Sequence, residues 1–138
     1  MTSFSAQAKN WTEKAKRNSA FVHRQAVRHL YNGLVEITPL KTGNARRSWA
    51  LSTTAMPTIK RGELFSAAPD VEIQIANIDL GKTAYIGGQA EYLPRLNWGF
   101  TGTDSLGRKY NQAGRFFLEQ NAAMWPEFVA RAAREIGG

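Results

Sequence analysis

The stretch FSAQAKNWTEKAKRNSAFVHRQAVRHLYNGLVEI, residues 4–37, carries the pattern that decides the fold. Its apolar residues recur at spacings of three, four or seven, which is the period of one face of an α-helix. These residues are Phe4, Ala8, Trp11, Ala15, Val22, Ala26, Leu30, Leu34 and Ile37. The pattern predicts one amphipathic helix of about eight or nine turns. It ends at Thr38, because the residue before a proline avoids the helical region.

The opposite face of this helix is basic. At about 100° per residue, Lys14, Arg17, Arg24 and Arg28 fall away from the apolar stripe, and Phe21 lies among them. A row of charges is ordinarily a solvated face. An exposed phenylalanine within the row favours a contact surface instead.

The positive charge is concentrated in the same part of the chain. The formal net charge is +7, and residues 1–50 hold nine basic and two acidic residues, whereas the other 88 residues hold nine of each sign. Arg46 and Arg47, just after the predicted helix, belong to this basic region. An acidic partner is therefore expected to bind the N-terminal part of the chain.

The middle of the chain predicts a small sheet at about residues 47–88. A strand is predicted at residues 47–54. Residues 71–77 alternate apolar and polar side chains as a half-buried strand does. Residues 83–86 favour a further strand, and the Asn, Asp and Gly residues within 77–81 are typical of a hairpin turn. Residues 55–70, between the first two strands, are interpreted as an extended arm or a long hairpin loop.

The C-terminal half predicts further helices around an open loop. Residues 92–99 form a short helical turn, and residues 100–114, with several glycines, a long exposed loop. A helical stripe at about 116–136 contains Pro126, which kinks the helix or restarts it at a first-turn position. The 138 residues thus predict a single α+β domain. In it the long N-terminal helix and the C-terminal helix pack on a small antiparallel β-sheet, with long exposed loops.

One segment matches the loosest form of a phosphate-binding loop. In ANIDLGKTAY, residues 76–85, Lys82 would reach terminal phosphates and Thr83 would hold Mg²⁺. Such a loop must leave a buried strand and open a helix. Here the predicted strand before the segment is only half-buried, and Gly87-Gly88 after it would interrupt a helix. The hairpin turn is therefore the preferred interpretation.

Other catalytic and metal patterns are missing from the sequence. Cysteine is absent, which excludes thiol chemistry, disulfides and thiolate metal sites. His23 and His29 are six residues apart and do not share a helix face as a metal-binding pair would. Ser48 and Ser105 lie outside any nucleophile elbow. We therefore expect no enzyme, no catalytic residue, no metal and no cofactor.

The sequence also predicts where the protein is made. No apolar run reaches the ~18 residues of a membrane span, and MTSFSAQAKN, residues 1–10, lacks the apolar core of a signal peptide. We expect no membrane association and synthesis in the cytoplasm. The basic charge suits nucleic acid, although no helix-turn-helix, zinc-finger or RNA-recognition pattern is recognised.

Three stretches, taken in order, resemble the neck or tail-completion proteins of long-tailed bacteriophages. TPLKTGNARRSW, residues 38–49, is similar to the family's Thr-Pro-x-x-Thr-Gly-x-x-Arg-x-Ser stretch. The matching positions are Thr38, Pro39, Thr42, Gly43, Arg46 or Arg47, and Ser48. EYLPRLNWG, residues 91–99, resembles Tyr-Ala-Pro-x-x-Glu-x-Gly, with Asn97 in place of the glutamate. GRFFLEQNAA, residues 114–123, resembles the family's entry to the last helix, without its prolines.

The resemblance implies a structural virion protein of the head–tail junction, made in the bacterial host. Such a minor tail protein is a ring subunit of about six or twelve copies, which completes the tail and joins it to the DNA-filled head. Its partners are further copies of itself, neighbouring head-connector and tail proteins, and DNA in the channel. Lys14, Arg17, Phe21, Arg24 and Arg28 are the expected contact residues, with Arg46 and Arg47 in the same role or in subunit packing. The alternative is a basic DNA-binding or packaging accessory protein.

Overall fold

The computed structural model describes residues 3–38, 43–65, 67, 69–79, 81–103 and 106–136. The helices in these residues are α1 (Phe4–Ile37), α2 (Asn44–Arg47), α3 (Glu72–Ala76), α4 (Leu93–Trp98), α5 (Phe117–Ala123) and α6 (Trp125–Ile136). The strands are β1 (Trp49–Ser52), β2 (Tyr85–Gly88), β3 (Gly99–Thr103) and β4 (Lys109–Ala113). The α+β prediction is confirmed, with a long N-terminal helix, C-terminal helices and small antiparallel sheets.

Helix α1 has the predicted bounds. The Ser3 hydroxyl accepts a hydrogen bond from the Ala6 N–H at 3.2 Å and caps the first turn. At the other end, Thr38 has left the helical region, with a ψ of 130°. This is the conformation expected of a residue before proline. Pro39 itself and residues 40–42 lie outside the described residues.

Strands β1 and β2 form the sheet beneath α1. They pair antiparallel, with Trp49 opposite Gly88 and Leu51 opposite Ile86. Trp49 and Leu51 are buried on one face, as the alternation predicted. Gly88 makes room for a neighbour, because a Cβ there would lie 2.2 Å from Leu93 Cδ1. The predicted strands at 47–54 and 83–86 are therefore present.

The predicted strand at 71–77 is wrong, because residues 72–76 form helix α3. Ile73, which the alternation placed beside Ile75, is 65% exposed, whereas Ile75 and Ile78 are buried. Val71, Ile75 and Ile78 are four and three residues apart, so they share one helical face toward the core. The hairpin predicted at 77–81 is absent with its first strand. A turn remains, in which the Lys82 N–H donates to the Asp79 carbonyl at 3.1 Å.

The segment after β1 lies along the sheet. The Lys60 N–H donates to the Gln89 carbonyl at 2.8 Å, next to a parallel bridge between Lys60 and Ala90. Farther on, the Phe65 N–H donates to the Asn44 side chain at 2.6 Å. Residues 55–65 are therefore an extended segment fastened at two points rather than a long hairpin.

The predicted loop at 100–114 is also wrong, because strands β3 and β4 occupy most of its residues. Strands β3 and β4 pair antiparallel from Gly99 opposite Ala113 to Thr103 opposite Lys109. Thr101, Thr103 and Lys109 are exposed. The two strands hold few apolar residues, so no apolar alternation marks them in the sequence.

The C-terminal stripe forms two helices that pack along α1. Met124 ends α5, and α6 starts at Trp125 with Pro126 in its first turn, so the restart interpretation is confirmed. Phe128 and Ala132 bury against Ala26 of α1. Because Asn121 bonds to Leu30 while Glu135 bonds to Gln25 and His29, α6 runs antiparallel to α1.

A close approach fixes the position of α5 on α1. Asn121 Nδ2 donates to the Leu30 carbonyl at 2.8 Å. A Cβ at Gly33 would lie 2.4 Å from Asn121 Oδ1, so a larger residue there would displace the Asn121 side chain. Any side chain there would separate the two helices or break the bond to Leu30.

Candidate interaction surfaces

The basic row predicted on α1 is divided into two parts. Arg24 Nε donates to the Ile78 carbonyl at 2.7 Å, and its Nη2 contacts Asp79 at 3.0 Å. Arg28 contacts Glu72 at 2.7 Å. Both arginine side chains are one-third exposed. Arg24 and Arg28 therefore attach the α3 region to α1 within one chain.

The N-terminal part of the row stays exposed. Lys14 and Arg17 are exposed, and Phe21 is 36% exposed. Arg17 and Phe21 line an open cleft of about 770 Å³ whose opposite wall is the end of α6, at Glu135 and Ile136. This part of the predicted site is available to a partner, and its wall carries both signs of charge.

Arg46 and Arg47 bind backbone carbonyls of their own chain. Arg46 donates to the Thr38 carbonyl at 2.8 Å and to the Glu36 carbonyl at 3.1 Å. These carbonyls lie at the C-terminal end of α1, where helical carbonyls lack partners and a positive charge is favourable. Arg47 donates to the Phe65 carbonyl. Both side chains therefore stabilise the junction between α1, β1 and the 55–65 segment.

The described residues of the three family-like stretches meet in the core. Asn44 of the first stretch donates to the Tyr92 hydroxyl of the second at 3.1 Å. The Trp49 ring contacts the Phe117 ring of the third edge-on, with centroids 6.4 Å apart. Pro39 and Thr42, two positions of the first stretch, lie outside the described residues. These motif residues thus build the fold, whereas Trp98 of the second stretch is 56% exposed.

Asn97 joins the second stretch to the third. Its Nδ2 donates to both Glu119 carboxylate oxygens at 3.0 Å, and its Oδ1 accepts from the Leu118 N–H at 2.9 Å. Trp98 Nε1 also donates to Glu119, at 2.7 Å. Burial raises the pKa of Glu119, but hydrogen bonds from its own backbone N–H, Asn97 and Trp98 outweigh that effect and lower the pKa below 4.5.

This lowered pKa predicts a loss of stability in acid. Because the folded pKa of Glu119 lies below the unfolded one, its carboxylate stabilises the fold above about pH 4.5, and that stability disappears as the pH falls through the folded pKa. In Glu119→Gln we expect a smaller fall in unfolding free energy between about pH 5 and pH 3 than in the wild type. Urea unfolding at a series of pH values measures this difference. The control is Glu63→Gln, which removes an exposed carboxylate. If the unfolding free energy falls equally with pH in all three proteins, the lowered pKa of Glu119 is contradicted.

One surface was predicted only in part from the sequence, and another was missed. The first is the α1 arm, residues 4–20, in which every side chain is exposed or half-exposed. Phe4 is 84% exposed and Trp11 is 73% exposed, although the apolar stripe predicted that both would be buried. These residues are exposed because α6 is a third as long as α1 and ends beside Phe21, so it does not cover residues 4–20.

The second surface is the apolar cleft, a depression of about 230 Å³. It lies between the 55–65 segment, β2, α4 and the start of α5. Its lining includes Met56, Ile59, Ile86, Pro94, Trp98 and Leu118. Met56 is 55% exposed and Trp98 is 56% exposed. Because the lining comes from five separate stretches, Trp49 of β1 included, no local pattern revealed it.

The geometry around Lys82 does not suit a phosphate-binding loop. Helix α3 precedes Lys82 and strand β2 follows it, so the order is helix, turn, strand. A phosphate-binding loop requires the reverse order, with the helix N-terminus facing the phosphates. Among the described residues, no group of three or more His, Cys, Asp or Glu side chains is placed to hold a metal ion. In the same residues, no helix is both long and apolar enough to cross a membrane.

Comparisons of the chain with protein-family models, with curated proteins and with solved structures gave no match.

Proposed function

We propose that this chain is a structural subunit of the bacteriophage head–tail neck, which forms a ring, completes the tail and joins it to the DNA-filled head. The observation that carries the proposal is the α1 arm. Its exposed Phe4 and Trp11 and its basic row extend roughly 25 Å beyond the packed part of the molecule. Exposed apolar surface bordered by charge is characteristic of protein interfaces. An assembly subunit has such a surface because a neighbour covers it.

The resemblance to the family supports the same proposal. Its three stretches are distant in the chain, yet Asn44 contacts Tyr92 and Trp49 contacts Phe117. Motif residues that contact one another behave as a fold signature. Of the contact residues predicted from the sequence, Lys14, Arg17 and Phe21 lie outside these motifs and are open to a partner.

The basic part of the α1 arm is proposed to bind an acidic surface of a neighbouring connector or tail protein. We expect Lys14→Glu with Arg17→Glu to lower the yield of joined, infectious particles by roughly tenfold or more, because like charges across an interface repel. Complementation of a phage that lacks this gene measures the yield, and electron microscopy counts unjoined heads and tails. Lys82→Glu with Lys109→Glu is the matched control, since both residues are exposed and lie outside the arm and the apolar cleft. Normal yield from the arm variant would contradict the proposal.

The alternative function, a DNA-binding or packaging accessory protein, has one observation in its favour. The α1 arm holds Lys9, Lys14, Lys16 and Arg17 against Glu13, next to an exposed Trp11. Phosphate contacts by these residues would give a DNA affinity that falls steeply with salt. Fluorescence titration of duplex DNA at several salt concentrations tests this function. Submicromolar binding with a steep salt slope, together with normal joining by the arm variant, would favour the alternative.

A further inference from the structure

The α1 arm presents an apolar face that its own chain does not cover. Phe4 and Trp11 are seven residues apart, so they lie on the same side of the helix about two turns from each other. Ala8 and Ala15 continue the same side at spacings of four. Their small side chains leave the two aromatic rings standing out from the helix. Each ring offers about 150–250 Å² of surface for burial.

This face does not reach the apolar cleft of the same molecule. Residues 4–20 belong to one continuous helix, which passes the end of α6 beside Phe21 and extends roughly 25 Å beyond it. The cleft lies at the other part of the fold, between β2 and α4. A straight helix cannot turn back over that distance, so any contact between arm and cleft joins two molecules.

The apolar cleft has the size and chemistry for an aromatic side chain. Its volume is about 230 Å³, and cavities of roughly 150 Å³ lined by aliphatic groups already hold benzene. Met56, Ile59 and Trp98 stand at its rim, each more than 40% exposed. These exposed side chains extend the apolar surface beyond the depression itself, as expected of a docking site.

Charge favours a contact between arm and cleft over a contact between two arms. Each arm holds four basic residues against one acidic residue, so two arms repel one another. Beside the cleft, in contrast, Trp98 and Asn97 hold the Glu119 carboxylate at 2.7 and 3.0 Å. Lys60 and Arg95 are also exposed on the elements that border the cleft, so a basic arm meets charges of both signs there but less positive charge than on a second arm.

We propose that the apolar face of the α1 arm of one copy docks on the apolar cleft of the next copy, with Trp11 inserted beside Ile59 and Trp98. The contact joins two different surfaces of the same chain. Each copy then has one arm and one cleft to offer, and repetition of such a heterologous contact generates a closed ring when the rotation closes. This inference rests on the self-association in the proposed function and identifies its interface.

Two variants that remove opposite halves of the contact test this interface. Trp11→Ala removes the aromatic side chain that the arm inserts and leaves the cleft intact. Ile59→Asp places a charge in the cleft and leaves the arm intact. Each variant alone is expected to be monomeric by light scattering, with wild-type helix content by circular dichroism. An equimolar mixture has one intact arm and one intact cleft per pair. It is expected to form a complex of two 15.3 kDa chains that grows no further.

Matched controls separate this contact from a general loss of apolar surface. Leu64→Asp changes a residue that is 84% exposed in the same segment as Ile59, and Trp125→Ala changes a tryptophan that is 37% exposed on α6. Both controls are expected to associate as the wild type does. The measurements are made over a range of concentrations, with and without the head-connector protein.

The outcomes distinguish this interface from the proposed function itself. If Ile59→Asp associates normally, or the mixed variants stay monomeric, the cleft is not the partner of the arm and this inference is overturned. A ring that persists under those conditions leaves the proposed function standing. A wild-type chain that stays monomeric with and without the connector protein overturns both.

Discussion

Replacing Trp49 with alanine is expected to lower the free energy of unfolding by about 4 kcal/mol, the cost of truncating a buried tryptophan. Trp49 is 4% exposed and contacts the Phe117 ring edge-on. Its Nε1 donates to the Thr38 hydroxyl at 2.8 Å, and its carbonyl accepts from the Tyr31 hydroxyl at 2.8 Å. The side chain thus joins the end of α1, the first strand and α5.

Two further variants show which part of Trp49 matters. Trp49→Phe keeps a ring against Phe117 and loses the N–H, so we expect a loss of about 1–2 kcal/mol. Trp11→Ala changes a tryptophan that is 73% exposed, and its cost is expected to stay within about 0.5 kcal/mol. Guanidinium unfolding followed by far-ultraviolet circular dichroism measures all three. Equal stability of Trp49→Ala and Trp11→Ala would contradict the assigned core.

Replacing Gly114 with alanine is expected to cost about 3 kcal/mol, at the upper end of the overpacking range. A Cβ at Gly114 would lie 2.5 Å from the Trp98 carbonyl carbon and 2.7 Å from the Asn97 oxygen. These are backbone atoms, so the clash is not relieved by a rotamer change. The chain must move away from α4 instead. That movement weakens the next two contacts, in which the Arg115 and Phe116 N–H groups donate to the Leu96 and Asn97 carbonyls.

Gly62→Ala is the control for the Gly114 variant. Gly62 has a φ of 72°, and a Cβ there would meet nothing within 4 Å. Its substitution costs only the left-handed conformation, about 1–2 kcal/mol. Hydrogen exchange adds a local readout, because the amides of residues 115 and 116 are expected to lose protection in Gly114→Ala. Unchanged exchange at those two amides, with unchanged stability, would show that the close approach is not required.

The sequence predicted those elements whose pattern has a single interpretation. Helix α1 has a continuous stripe and a proline-defined end, and β1 has a clear alternation at Trp49 and Leu51. Residues 71–77 fit two periods at once, since Val71 and Ile75 are compatible with a strand or with a helix. Burial of Ile78 selects the helix, and only the tertiary structure reveals that burial. The ribbon of β3 and β4 shows no pattern because its strands hold few apolar residues.

The candidate site depends more strongly on tertiary structure. The spacing of the basic row on α1 was correct, but the acidic partners of Arg24 and Arg28 are Asp79 and Glu72, far along the chain. No local pattern shows that these two arginines are used internally. The exposure of Phe4 and Trp11 follows from where α6 ends, and the apolar cleft is assembled from five segments. Helical periodicity identifies a face, whereas the structure shows what covers it.

The central claim is that this chain functions as an assembly subunit, and the most direct test is its mass in solution. Light scattering of the purified chain is measured at low and high concentration, alone and with the head-connector and tail proteins of the same virus. We predict a defined ring, or a chain that enters a large complex only with those proteins. A chain that stays monomeric, does not bind either protein and instead binds DNA with a steep salt dependence would contradict the neck assignment.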